Sequence, residues 1–236
     1  MSSPTPSLPI ALSIVVPTRD AAVQLPSCLA SLEEGRRCGL VGEVVVVDGG
    51  SRDDTAACAA TLGARILVAS PGRGAQLAAG AAASRGAWLL LLHADTRLPP
   101  GWPAVVAAFI AAPENATRAG YFALRFDDPA LPARLLECGV ALRCRWLGLP
   151  YGDQGLLLAT EFYRALGGVR PLPLMEDVDL VRRIGRRRLI RLEATATTSA
   201  LRYRRDGYLC RVLRNWTCLA LYYLGVPPRL ILRLYA

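Results

Sequence analysis

Three acidic clusters in this sequence stand where chemistry could be done. Asp48 closes the run Glu43-Val44-Val45-Val46-Val47 and is followed by Gly49-Gly50-Ser51. Asp95 ends the triplet His93-Ala94-Asp95, which follows four consecutive leucines. Glu176-Asp177-Val178-Asp179 comes after a proline-containing loop. A carboxylate at a strand end can accept hydrogen bonds from a nucleobase or ribose, and the glycines after Asp48 would let a ligand approach the backbone. The plainer alternative is a turn with a helix cap. His93 and Asp95 are polar side chains one residue apart. They can address a single metal ion, or a ribose and a metal together, and carboxylate oxygens suit the Mg2+ or Mn2+ that neutralises a diphosphate. His93 is the only histidine, and a lone histidine can equally be structural. Glu176, Asp177 and Asp179 at a helix start either favour the helix dipole or supply a general base for a hydroxyl group. Gly72-Arg73-Gly74 leads into a further helical stretch, and a helix start receives phosphate well. The full G-x-G-x-x-G is absent, so Arg73 itself is the candidate contact to a base or phosphate.

The elements that must position these residues alternate. Apolar β-branched or leucine runs at 12–16, 43–47, 64–68 and 87–92 read as strands, separated by helix-like stretches at about 21–34, after Ser51, and at about 74–84. Ser51 is a plausible cap there, with Asp53 and Asp54 in the first turn. Strands alternating with helices predict an α/β fold built on a mostly parallel sheet covered on both faces. Ligands of such sheets bind beyond the carboxyl ends of the strands, where Asp48 and Asp95 fall. Further on, the patterns predict helices at 102–111, 130–146, 161–166 and 176–184. Strands are expected at 120–126 and 155–159, with two short ones at 189–192 and 195–200. A helix over 208–224 breaks at Pro227-Pro228 and resumes to Tyr235. Residues 1–9 are Pro/Ser-rich and expected to be disordered. The organisation is then one domain over 10–205 and an amphipathic helical C-terminal segment over 206–236.

All 28 basic residues are arginine, with no lysine in the chain. That argues against P-loop enzymes, Schiff-base chemistry, protein kinases and most sugar nucleotidylyltransferases together. Residues 1–185 hold 17 arginines and 17 acids, so the net charge of +9 sits in 186–236, where 11 arginines face Glu193 and Asp206. Such an end suits phosphates, anionic lipid heads or nucleic acid, or is an ordinary solvated basic face. It also carries Trp216, Tyr222, Tyr223, Leu230, Ile231, Leu232 and Tyr235. No stretch is long enough to span a bilayer, but an amphipathic segment can rest on an anionic surface. Packing on the core or a homodimer interface is the alternative. The seven cysteines are odd in number and lack a C-x-x-C pair. With no signal peptide visible, this points to reduced thiols and a cytoplasmic location, with peripheral contact at the inner membrane face as an extension.

The order PTRDAA, VVVVDGGSRDDT, LLLLHADT and MEDVDL resembles the family 2 glycosyltransferases of the GT-A fold, across about residues 11–205. The segments PGRGAQLAAGAAASRG, LGLPYGDQGLLL and LGVPPRLILRLY look like a bacterial subgroup of transferases associated with radical-SAM and selenodomain proteins. The resemblance implies a GT-A (Rossmann-like) core, a UDP-sugar or similar donor, a divalent metal (Mg2+ or Mn2+) and inversion at the anomeric carbon. It implies that Asp48 holds the nucleoside beside the Pro17-Thr18 strand end. Asp95 would bind the metal bridging the diphosphate, with His93 standing where the first acid of D-x-D is usual. Asp177 would be the base that deprotonates the acceptor, with Glu176 assisting. Arg73, Arg202 and Arg205 are candidates for the donor's phosphates; Arg204 is a further one. Asp153 and Gln154 are candidates for selecting hydroxyls of a small-molecule or lipid-linked acceptor. Two departures stand out: Asp48-Gly49-Gly50-Ser51 lacks one of the usual two acids, and His93 replaces an acid. Two other readings compete. A sugar-phosphate nucleotidylyltransferase would need a basic glycine-rich loop where Pro17-Thr18-Arg19-Asp20 stands. A non-catalytic basic module for lipid or phosphate ligands draws on the C-terminal charge. No recognised nucleic-acid motif is visible, so nucleic acid is not expected as a partner.

Overall fold

Buried strands need covering on both faces, and the alternating contacts along each strand show how this chain provides it. The computed structural model describes residues 11–235, so the stretch 1–9 expected to be disordered lies outside the described residues. The elements run β1 (Leu12–Thr18), α1 (Leu25–Arg37), β2 (Val41–Asp48), α2 (Thr55–Thr61), β3 (Arg65–Val68), α3 (Arg73–Ala83) and β4 (Trp88–Leu91). Next come β5 (Thr96–Arg97), α4 (Trp102–Ala111), β6 (Ala119–Phe126), α5 (Leu131–Leu147), β7 (Leu156–Ala159), α6 (Thr160–Ala165) and α7 (Glu176–Ile184). The chain ends with β8 (Leu189–Thr198), α8 (Leu201–Asp206), α9 (Tyr208–Tyr223) and α10 (Pro228–Tyr235).

The strands form one sheet in the order β3-β2-β1-β4-β7-β6-β8-β5. Four of the seven neighbour pairs are parallel, β3/β2, β2/β1, β1/β4 and β6/β8. The other three, β4/β7, β7/β6 and β8/β5, are antiparallel. Leu12, Ile14, Val16, Val44, Val46 and Leu90 face α1 and α4, packing with Leu25, Leu29, Leu32, Trp102 and Val106. Val15, Val45, Val47, Leu89 and Leu91 face the opposite way, onto α3, α6 and α7. This period-two division is what an unbroken apolar strand requires when both faces are covered. Helix α3 lies close on the sheet because Gly80 has no side chain. A Cβ there would sit 2.4 Å from Val15 Cγ1 and 2.7 Å from Val47 Cγ2.

Two local expectations are corrected. The helix after Asp48 begins at Thr55 rather than near Ser51, because the Ser51 hydroxyl hydrogen-bonds Asp48 and Asp53 takes the Thr55 amide and hydroxyl. The two strands expected over 189–200 are one, β8, which absorbs an irregularity in its register with β6. Leu201–Asp206, straddling the expected domain limit, is a short helix. The C-terminal helices α9 and α10 pack Cys218, Leu219 and Ile231 against Leu174, Met175, Val178 and Val181 around α7.

The buried Glu43 ties β1, β2 and the end of α3 together. It accepts hydrogen bonds from Ser13 Oγ at 2.7 Å and from the Arg85 amide at 2.6 Å, and pairs with Arg65 at 3.1 Å. Burial alone would raise its carboxyl, but the hydrogen bonds and the two arginines outweigh burial and hold it below its ordinary value. Glu43→Gln should therefore cost about 2–3 kcal/mol at neutral pH. The gap between the two proteins should narrow as pH falls below the ordinary glutamate value of about 4.3, because protonation removes the same interactions from the parent; urea unfolding across that range measures it. Gly80→Ala should lose about 1–3 kcal/mol by overpacking, seen in the same assay.

Candidate active site

The carboxyl ends of β1 and β4 open onto a cavity of about 500 Å³. Pro17 and Thr18 end β1 and form one wall with Arg19, Asp20 and Gln24. Gly72, Arg73 and Gln76 at the start of α3 form another, and His93 and Asp95 after β4 a third. Leu232 and Tyr235 of α10 close it with Arg202. A second cavity of about 120 Å³ adjoins it, sharing Arg73, His93, Asp95, Ser199, Arg202 and Tyr235 and adding Tyr151, Asp153, Asp177, Tyr203, Arg211 and Asn215. The shared wall thus holds a candidate metal ligand, Asp95, and two arginines, and the smaller cavity holds a candidate base.

Asp177 is the best anchored of these groups. Its Oδ2 accepts the Gly152 amide at 3.0 Å and its Oδ1 the Val178 amide at 2.8 Å. Arg73 Nη2 lies 3.8 Å from Oδ2. Burial pushes this carboxyl upward, but Arg73 and the two amides more than offset it, so Asp177 titrates below the ordinary aspartate value and is ionised at neutral pH. A carboxylate has about four acceptor positions, and two remain for a hydroxyl in the cavity. Glu176, with no exposed surface, stands behind Asp177. It pairs with the Nε of Arg73, and its burial raises its carboxyl against the pull of Arg73. Burial would also discharge Arg73, yet its two acidic neighbours hold the guanidinium firmly charged. Glu176 and Asp177 are the first residues of α7, where the helix dipole favours anions. They are aimed by Met175, whose φ of 66° is left-handed. Asp20, with φ 50°, is the other non-glycine residue with such a backbone among the described residues, and it too lines a cavity.

His93 turns Nε2 away from solvent and against Gly152, where a Cβ would lie 2.4 Å from it, and that nitrogen has no hydrogen-bond partner. Burial, reinforced by Arg73, lowers the imidazole to about 4, so it is neutral at pH 7. Asp153 faces the smaller cavity with Oδ1 unpartnered, and burial raises its carboxyl to about 6 against the opposing charge of Arg143. Among the described residues no three His, Cys, Asp or Glu side chains converge as a metal cage. The donor set fits a small hard cation held by one or two protein groups and by substrate phosphates, as is usual for Mg2+. Asp95 fits that role directly. His93 fits it only through its other nitrogen, since Nε2 is packed on Gly152.

Three candidates take other places. Asp48 accepts the Gly50 and Ser51 amides at 3.1–3.3 Å and the Ser51 hydroxyl, so its carboxylate shapes the turn and does not line either cavity. That turn in turn fixes Asp20, whose amide donates to Ser51 Oγ at 2.9 Å. Gln154 is buried and lines neither cavity. Its Oε1 accepts the Tyr151 amide at 3.2 Å and its Nε2 donates to the Phe122 carbonyl at 3.0 Å, leaving it no free face. Arg205 is exposed and paired with Asp206 at 2.7 Å. Sequence reasoning missed Arg211, Asn215 and Tyr235, which reach the cavities from the C-terminal helices. The four-residue spacing of Arg211 and Asn215 was their one signal.

Residues 13–145 match the family described as Glycosyl transferase family 2. A PGL/p-HBAD biosynthesis glycosyltransferase of Mycobacterium bovis is 39% identical over 106 residues, 42% of this chain and 41% of that protein. A TPR repeat-containing protein of Synechococcus elongatus is 38% identical over 93 residues, 37% of this chain and 21% of that one. The chain spans less than half the length of these curated relatives. Glucosyl-3-phosphoglycerate synthase from Mycobacterium tuberculosis, in complex with Mn2+ and uridine-diphosphate-glucose, superposes with a TM-score of 0.57 at 20% identity, over 80% of this chain and 69% of that one. Mannosyl-3-phosphoglycerate synthase from Rubrobacter xylanophilus gives 0.59 at 17% identity, over 92% and 76%. At such identities the likeness speaks for the fold alone, which is of the GT-A type.

Because Glu176 is fully buried while 31% of its partner Arg73 stays exposed, Arg73→Gln should destabilise the protein by about 2–3 kcal/mol, below the range for a wholly buried pair. The double variant Arg73→Gln/Glu176→Gln should recover part of that loss, as a denaturant double-mutant cycle would show.

Proposed function

The chain belongs to glycosyl transferase family 2, and from that premise we propose that it transfers a sugar from a nucleotide-diphosphate donor to an acceptor hydroxyl, with inversion and with Asp177 as general base. The observation that carries this reading is the shared wall of the two cavities. A large cleft beyond the carboxyl ends of the parallel strands, the usual ligand position of such sheets, meets a smaller one holding an ionised, doubly hydrogen-bonded carboxylate. The larger takes the donor and the smaller takes the acceptor.

A UDP-sugar is the donor we favour, with support from the uridine-diphosphate-glucose bound in the Mycobacterium tuberculosis neighbour. That neighbour's Mn2+ supports a divalent ion here, held by Asp95 and the donor's phosphates; when bound, such an ion stabilises negative charge on the leaving diphosphate. Arg202, common to both cavities, adds a fixed positive charge on that side. The chain's own residues handle the proton. The acceptor oxygen attacks the anomeric carbon as the bond to the nucleoside diphosphate breaks, and its proton passes to Asp177. A hydroxyl grows more acidic as its oxygen bonds to carbon, so a weakly basic carboxylate suffices provided it is ionised and positioned. Arg73 and the Gly152 amide meet both conditions, and Glu176 holds Arg73 in place. Asp153 faces the acceptor side with a free oxygen and orients the incoming hydroxyl group.

Calorimetry with UDP tests the donor half. Binding should require Mn2+ or Mg2+ and be lost in Asp95→Ala; metal-independent binding unaffected by that substitution would refute Asp95 as the metal ligand. Asp177→Asn tests the base: turnover should fall by about 10²–10⁴-fold with UDP affinity unchanged, and normal turnover in that variant would exclude the mechanism.

A further inference from the structure

Helix α9 has two differently built faces. The inner one sends Arg211 and Asn215 into the smaller cavity and seats Cys218 and Leu219 beside α7. The outer one carries Leu209, Leu213 and Trp216, with 71%, 58% and 51% of their surface exposed, and Leu224, 80% exposed, follows at its C-terminal cap. Ala220 and Tyr223 complete the row, also exposed. Steps of three and four residues place all of these on one side of a helix. No charged residue of α9 itself interrupts the row, and the Arg182 guanidinium of α7 caps its end, 4.7 Å over the Tyr223 ring.

The charges lie beside it and have one sign. Arg229 and Arg233 are exposed one turn apart on α10, which packs against α9. Arg214 flanks the row on α9 itself. The single acid over 199–235 is Asp206, and it is already bonded to Arg205, Arg211 and Arg214. Helix α5, whose cluster takes in Tyr208 from the start of α9, adds a second exposed apolar row of Leu135, Leu142 and Trp146.

An apolar row of this size marks a contact site, and the arginines choose among partners. A second copy of the chain would bring arginine against arginine with no free carboxylate to separate them. An anionic bilayer meets both features: leucines and the tryptophan enter the boundary between headgroups and acyl chains, and the arginines meet lipid phosphates. Trp and Tyr are also the residue types enriched at that depth. Among the described residues no helix is long and apolar enough to cross a membrane, so the contact is peripheral. We propose that the outer face of α9, flanked by the arginines of α10, docks the protein on an anionic membrane surface. A helix with its side chains is about 10 Å thick, so docking holds the smaller cavity one helix diameter from the lipid headgroups. The docking itself stands apart from the catalytic reading.

The test is co-sedimentation of the full chain with vesicles of phosphatidylcholine alone or mixed with phosphatidylglycerol. The parent protein should pellet with the anionic vesicles, less so as salt rises, and only weakly with the neutral ones. Leu213→Glu/Trp216→Glu should lower partitioning by about tenfold or more, and Arg229→Gln/Arg233→Gln by about thirtyfold. Unchanged thermal melting and far-ultraviolet circular dichroism would establish that the variants are folded. A folded parent that binds no vesicles at low salt overturns the proposal, as does a folded Leu213→Glu/Trp216→Glu variant that binds as the parent does. A homodimer in light scattering that the same double substitution dissolves assigns the face to a second copy, and overturns it too.

Discussion

The guanidinium of Arg73, held between Glu176 and Asp177, is the interaction on which the rest of the cleft depends. Arg73 begins α3 and the two acids begin α7, so two helix starts, each with unsatisfied amides and a positive dipole end, converge with an arginine in the same space. Such a concentration of positive potential is tolerable only with buried anions. Glu176 has no exposed surface, and as an unpaired charge it would be strongly destabilising. Removing any one member leaves another stranded, which makes the group a single unit. Because Asp177 belongs to it, the proposed base is positioned by the same forces that dock α7 on the sheet.

The change of strand direction beside β4 explains why the cleft opens there. β1 and β4 run parallel, and β7 returns antiparallel on the other side of β4. The turn that feeds β7 therefore arrives at the carboxyl end of β4. It brings Gly152 against His93 and delivers its amide to Asp177. A side chain at position 152 would collide with the imidazole, so the glycine lets the loop, the histidine and the base share one small space.

The C-terminal helices serve as a wall rather than an appendage. Their inner surfaces are consumed in the cluster around α7 and in the lining of both cavities, while apolar side chains remain on the outside of α9. One helix thus couples the smaller cavity to the molecular surface. The excess of arginine at this end supplies the cavity through Arg202 and Arg211 and the exterior through Arg229 and Arg233.

Most element types, and the strand or helix ends that carry the acids, are legible in the residues themselves. Val44, Val45, Val46 and Val47 could only be comfortable in a strand covered on both faces, and such a strand must end at its ligand edge, so Asp48 and Asp95 were legible as edge residues. The opening of α7 at Glu176 was legible too, because helical periodicity and dipole-favouring acids are local properties. Tertiary structure decided strand order and direction past β4, which depend on contacts between residues far apart in the chain. It also decided which polar groups are free. Asp48 and Gln154 looked available in sequence, yet the amides of Ser51 and Tyr151 take up their oxygens once the turns close. Arg73 and Glu176 gave no sign of each other across 103 residues. Arg211 and Asn215 became cavity residues only when α9 folded back over α7. A side chain's type is written in the chain, but whether its hydrogen-bonding capacity is spent or spare is fixed by what the fold places within about 3 Å of it.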